Sequence, residues 1–168
     1  QAAGLSCSLA LVRPRLRGPF NISSPVTTED FIYPVVIAHL TSGKTWLSPS
    51  NRFTPYGYLP PLIQGSEAMV LNAGKVLTKT PLYPRKNGNQ TAKWTVRVQP
   101  SGAYRATATL QLSGFAGMSW RNALNGYTSA QRKKALKRYL GRQIRGFKVS
   151  HITLSPLNRR EDPLVIKL

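Results

Sequence analysis

Trp46–Pro61 reads WLSPSNRFTPYGYLPP. It follows an apolar run at 31–40, FIYPVVIAHL, and a short turn at 41–44, TSGK. Its four prolines remove backbone donors and restrict φ, so no helix or ladder continues through it. Its aromatic residues, Trp46, Phe53, Tyr56 and Tyr58, need a surface to cover them. The stretch is therefore expected to be the end of a β-strand running into an ordered loop packed on a sheet.

The neighbouring segments supply that sheet. In Phe31–Leu40, period-two spacing puts Tyr33, Val35, Ile37 and His39 on one face and Pro34, Val36, Ala38 and Leu40 on the other. Pro34 sets it near an edge or at a strand start, and Ser42-Gly43 signals a hairpin into 44–47. Upstream, 5–13 (LSCSLALVR) is expected to be a strand, and RPRLRG after it a basic loop. Downstream, EAMVL is a short strand, a turn is expected at 72–74, and KVLTKTPLYP follows. Asn21-Ile22-Ser23 and Asn89-Gln90-Thr91 match the glycosylation acceptor pattern, which is short enough to arise by chance.

Composition shifts after Pro84, and the polar run RKNGNQ at 85–90 marks the expected internal boundary. Residues 92–99 and 103–112 alternate, with Pro100-Ser101-Gly102 between them, and predict a β-hairpin. Trp94, Val96 and Val98 share a face of its first arm. A short helix is expected over 115–125, with Phe115, Met118 and Ala123 inward. A longer one is expected over Thr128–Ile144, opened by a capping box of Thr128 and Gln131. Leu136, Tyr139, Leu140 and Ile144 form its apolar side. Residues 147–154 and 164–168 are expected as strands, joined by a charged turn in which Glu161 and Asp162 pair with Arg159 and Arg160. The fold class is α+β: mainly antiparallel sheet with one or two helices.

The chain has 168 residues, 41% of them apolar, enough for a core and too many for a disordered basic tail. No apolar run approaches the ~20 residues that span a bilayer as a helix. The chain opens at Gln1 without a leader pattern and is expected to be a fragment or processed product. Net charge is +19, from 24 Lys/Arg against 5 Asp/Glu. Anionic partners follow: an anionic polymer, lipid phosphate or an acidic protein. The plainer sources of such charge are a basic proteome or an acidic domain elsewhere in a parent chain. A single cysteine, Cys7, excludes an internal disulfide and multi-cysteine metal sites.

The opening stretch also carries a likeness. AAGL at 2–5, FIY at 31–33, WLSPS at 46–50 and YGYLP at 56–60, with the hairpin and SWRNALNGYTSAQRKKALKRYL beyond, resemble one known arrangement. It is the second half of a bacterial transglutaminase-like domain, a papain-like fold, with the β-rich segment that follows it. The resemblance implies the sheet half of such a core in 1–84 and a β-hairpin-rich unit with a basic helix in 85–168. It implies a Cys–His–Asp triad, in which a thiolate attacks an acyl carbon, histidine moves the proton and aspartate orients the imidazole. The cysteine-bearing helix would precede Gln1. The histidine position falls on Tyr33 and the aspartate position on Ser48. A phenol with an ordinary pKa of ~10 is no general base near neutral pH. The implied protein is a non-catalytic scaffold or binding module of a larger envelope-associated or periplasmic protein, with its own parent chain as a partner.

Other chemistry has little to build on. Cys7 and His39 lie on predicted strands that could neighbour one another, though a buried cysteine and a surface histidine are the plainer account of them. His39, His151, one cysteine and five carboxylates give no metal-ligand spacing, and no cofactor motif is present. Between Ala68 and Arg160 there are 18 Lys/Arg and no carboxylate. Arg132, Lys133, Lys134, Lys137, Arg138 and Arg142 crowd the longer helix, either as an anion-binding face or as a solvated one. Aromatics do not interleave with them, which weakens the case for nucleic acid. Beside the scaffold reading stand a fragment of an active cysteine acyltransferase or peptidase, and a basic nucleic-acid-binding protein.

Overall fold

The structure, a computed structural model, describes residues 4–18, 20, 23, 29–71, 76–84, 88–143 and 148–168. Nine strands and two helices are described, and both sheets are antiparallel, which makes the chain α+β and mainly β. It divides into two compact units, Gln1–Pro84 and Arg85–Leu168, at the shift in composition after Pro84.

The first unit is one sheet and the loop that covers it. Its strands are β1 (Ser6–Val12), β2 (Tyr33–Leu40), β3 (Gly43–Leu47), β4 (Glu67–Val70) and β5 (Val76–Lys79), in the order β3-β2-β1-β4-β5. Pro34 sits second in β2, an interior strand, so it marks a strand start rather than an edge. The alternation of β2 is kept: Val35 and Ile37 point into a core with Ala10, Val12, Ala68, Leu59 and Ile63. The last two come from the loop after Trp46–Leu47. That loop contributes Phe53 and Tyr58 as further buried residues. Burying a side chain such as Leu59 or Ile63 stabilises by about 1.5–3 kcal/mol.

Apart from a 3-10 turn at Pro61–Ile63, individual hydrogen bonds hold the loop's backbone. Asn51 Oδ1 accepts the Phe53 N–H at 2.9 Å, and the Tyr58 N–H reaches Pro55 O at 3.2 Å. Gln64 Nε2 donates to Leu59 O at 2.6 Å. Buried Thr80 donates its hydroxyl to Ile63 O at 2.6 Å and accepts the Ser66 N–H at 2.9 Å. These bonds pair backbone groups withdrawn from water, as a buried loop requires, while the buried Ser66 Oγ has no hydrogen-bond partner. Tyr83 lies against Tyr58, with ring centroids 5.6 Å apart. Burial, and then Tyr58, push its phenol up to about 12.

The second unit has the order β6-β7-β9-β8: β6 (Gln90–Val98), β7 (Tyr104–Leu112), β9 (Leu164–Lys167) and β8 (Thr153–Leu154). Gly102, at φ 80°, takes the left-handed position of the β6–β7 turn, a conformation that favours glycine. The helices are α1 (Gly114–Leu124) and α2 (Ser129–Gln143). Thr128 and Gln131 form the expected box: the Thr128 N–H donates to Gln131 Oε1 at 2.8 Å, and the Gln131 N–H to Thr128 Oγ1 at 3.3 Å. Ala108, Leu112, Leu164 and Ile166 share one sheet face and are buried, as are Met118, Leu124, Leu136 and Leu140 of the helices.

Three expectations need correction. In α1, Phe115 and Ala123 are exposed, while Gly117, Met118, Arg121 and Leu124 are buried. At about 100° per residue these four share a face centred on Arg121, and Phe115 falls on the far side; a search for apolar residues alone passes over that arginine. In α2, Tyr139 is half exposed and stands edge-on to Trp120, ring centroids 4.9 Å apart, while Leu136 and Leu140 are buried and Ile144 lies outside the described residues. The strand expected over 147–154 is reduced to Thr153–Leu154; Ser150 O instead accepts from Lys137 Nζ at 2.6 Å. The turn expected at 72–74, the first acceptor asparagine Asn21, and Ala2 and Ala3 of the AAGL run also lie outside the described residues.

Candidate functional site

Tyr33 opens β2 and Ser48 directly follows β3. The register pairs Val36 with Leu47 and Ile37 with Trp46. Continued by one residue, it sets Ser48 across from Val35, on the same sheet face as Tyr33 and one diagonal step away. Tyr33 packs against the buried cluster of Val35 and Leu59, and Ser48, itself buried, lies with its Oγ 3.0 Å from Ser50 Oγ. A phenol and a hydroxyl occupy this corner, with no imidazole or carboxylate at either position.

Cys7 and His39 do not meet. Cys7 pairs with Ala38 and Ser6 with His39, so the thiol and the imidazole lie on opposite faces of the sheet. His39 Nε2 is instead 2.9 Å from Ser8 Oγ. Activating such a serine requires a third group to orient the ring. The positions facing His39 across the ladder are Ser6 and Lys44, and neither is a carboxylate. Among the described residues, no group of three or more His, Cys, Asp or Glu side chains can hold a metal ion. No helix among them is long and apolar enough to cross a membrane.

The RPRLRG loop is pinned to the first sheet. Arg13 lies 3.8 Å from Asp30, donates to Arg17 O at 2.9 Å and stands 5.5 Å from the Phe20 ring centroid. Glu67 accepts the Phe20 N–H at 2.8 Å. Arg13, Arg15, Ser66, Glu67 and Lys79 line a cleft of about 280 Å³ beside it. Its most enclosed cation, Arg13, is already engaged by a carboxylate and a carbonyl.

The cations of α2 separate into two sets. Arg132 donates through Nε to Leu124 O at 2.9 Å, closing the C-terminal end of α1, and Lys137 holds Ser150 O. Lys133, Lys134, Arg138 and Arg142 are exposed. Lys134, Arg138 and Arg142 recur every fourth residue, so they form one solvent ridge. Arg121 was missed by the sequence reading. It is 2% exposed and donates to Arg159 O at 2.8 Å and Asp162 O at 2.7 Å, fixing the 159–162 turn against α1. Burial lowers its pKa, while Asp162 and Glu161 act in the opposite direction. A Cβ at Gly117 would meet Leu112 O at 2.5 Å and an Arg121 guanidinium nitrogen at 2.9 Å, so glycine is what lets α1 approach β7. Arg160 pairs with Glu161 at 3.2 Å on the surface of the same turn.

No family model, curated protein or solved structure matches this chain.

Proposed function

We propose that this chain is a non-catalytic, transglutaminase-like scaffold or binding module of a larger bacterial envelope-associated protein. The observation that carries the reading is the corner at Tyr33 and Ser48. Tyr33 opens β2 and Ser48 is the first residue after β3, and the β2–β3 register continued by one residue sets them on one face and one diagonal step apart, as a histidine and its orienting aspartate would be. Neither residue type does that work. A phenol near neutral pH does not accept a proton from a thiol, and a serine hydroxyl does not stabilise an imidazolium as a carboxylate does. The loop from Ser48 to Ser66 supports the same reading: it folds over the sheet and buries Leu59 and Ile63, so this side of the sheet serves cohesion.

The test is an acyloxymethyl-ketone probe for activated thiolates, applied to the full-length parent protein. The expected result is no stoichiometric labelling that depends on the native fold. Fold-dependent labelling of an upstream cysteine would show an active acyltransferase or peptidase and overturn the proposal.

A further inference from the structure

The sheet of the second unit has two unlike faces. Cross-strand partners share a face, and the register places Lys93 and Arg97 of β6 together with Arg105 of β7 and Lys167 of β9 on the side away from Ala108 and Ile166. Arg97 stands directly across from Arg105. Lys93, Thr109, Lys167 and Thr153 form one row across all four strands. Lys93, Arg97, Arg105 and Lys167 are all exposed. Neither ion pair among the described residues involves this face. Like charges directly opposite one another oppose sheet formation. An Arg–Arg rung without a carboxylate therefore calls for an anion from outside the sheet.

From this face we infer a binding site for an acidic polysaccharide. Lys93 and Lys167 stand about 10 Å apart across two strands and Lys93 and Arg97 about 13 Å apart along β6, so that engaging them together with the Arg97–Arg105 rung takes several linked rings and not one small ion. Hydroxyl and amide groups fill the spaces between them: Thr95, Thr107, Thr109, Gln111 and Thr153. Beside Lys167 the face sinks into a depression of about 630 Å³, lined by Thr109, Gln111, Thr153 and Ser155 among others. Such walls pair with ring hydroxyls while the cations take the carboxylates or sulfates. The other polyanions fit less well. Trp94 and Tyr104 alternate to the opposite face, so bases find no stacking platform here. Val165, with Leu154 at the wall of the depression, is what this face offers a bilayer, too little apolar surface for insertion. The inference rests on the second unit alone and is independent of Tyr33 and Ser48.

Calorimetric titration of the full chain tests it, with polygalacturonate as the probe in ~150 mM salt, beside neutral dextran, a duplex DNA and phosphatidylglycerol vesicles. Polygalacturonate is expected to bind, dextran not to bind, and the duplex and vesicles to bind more weakly. Replacing Arg97→Ser with Arg105→Ser is expected to weaken polygalacturonate binding roughly tenfold or more and to reduce the slope of log affinity against log salt by about two. Its unfolding temperature should not fall, because a like-charge rung is relieved. The pair Lys93→Ser with Lys167→Ser should show the same loss and guards against misfolding of the first. Lys134→Ser, Arg138→Ser and Arg142→Ser together, on α2, should change affinity by less than about threefold. Unchanged binding by both sheet variants would overturn the proposal. So would an equal loss in the α2 variant, equal binding of dextran, or tighter binding of duplex or vesicles.

Discussion

The two sheets are built from equally alternating strands, yet the apolar side of β2 is covered and that of β6 is not. In the first unit, Val35 and Ile37 of β2 are buried beneath the loop that brings Leu59 and Ile63. In the second, Trp94, Val96 and Val98 of β6 alternate just as regularly and remain 41%, 53% and 74% exposed. The difference is position. β2 lies between β1 and β3, while β6 is the outer strand of its sheet, paired with β7 alone. The buried side chains of the second unit lie instead on β7, β9, the helices and the segments flanking β8, which bring Ile152 and Leu157. Alternation selects a strand and its two faces; topology decides which face is covered.

Substitutions separate the two cases. The largest effect is expected at Leu59→Ala, which empties a fully buried position under the loop and should lower stability by about 2–5 kcal/mol. Urea unfolding followed at Trp46, with Trp94 and Trp120 replaced by phenylalanine, would read it. Next is Arg121→Leu. It leaves Arg159 O and Asp162 O without their donor and should destabilise the second unit by about 2–4 kcal/mol, visible in urea unfolding at Trp120. Thr128→Ala removes the cap of α2 and should lose about 1 kcal/mol, with a matching drop in helical circular dichroism on heating. The smallest effect belongs to Val96→Thr on β6, where the side chain already meets water: a change within about 0.5 kcal/mol by the same urea measurement. A Val96 effect as large as that of Leu59 would erase the contrast between the sheets.

Local signals carried much of this architecture. Pro100-Ser101-Gly102 announces the β6–β7 hairpin, and Thr128 with Gln131 announces α2, because both depend on residues close in sequence. The proline-rich stretch after Trp46 was legible as a packed loop, but not the particular bonds of Gln64 and Thr80 that hold it, which join residues 5 to 17 positions apart. Arg121 was illegible for a different reason. A buried arginine inside a helix reads as a surface cation until the carbonyls of Arg159 and Asp162, 38 and 41 residues away, are brought to it. The cationic sheet face was hidden in the same way. The sequence drew attention to α2, where six cations lie close together, while Arg97 and Arg105 become a pair only when β6 meets β7.

The corner at Tyr33 and Ser48 carries the central proposal, that the chain holds a transglutaminase-like sheet without its proton-transfer machinery. The most direct measurement is the pH dependence of thiol alkylation in the parent protein, compared with its Tyr33→Phe and Ser48→Ala variants. With Cys7 replaced by serine throughout, the account predicts that the remaining thiols of the parent protein react with rates that rise with pH as for a free thiol, half-maximal at about pH 8.5, with the same profile in both variants. A fast rate already at a plateau well below that pH, and lost on changing Tyr33 or Ser48, would contradict it.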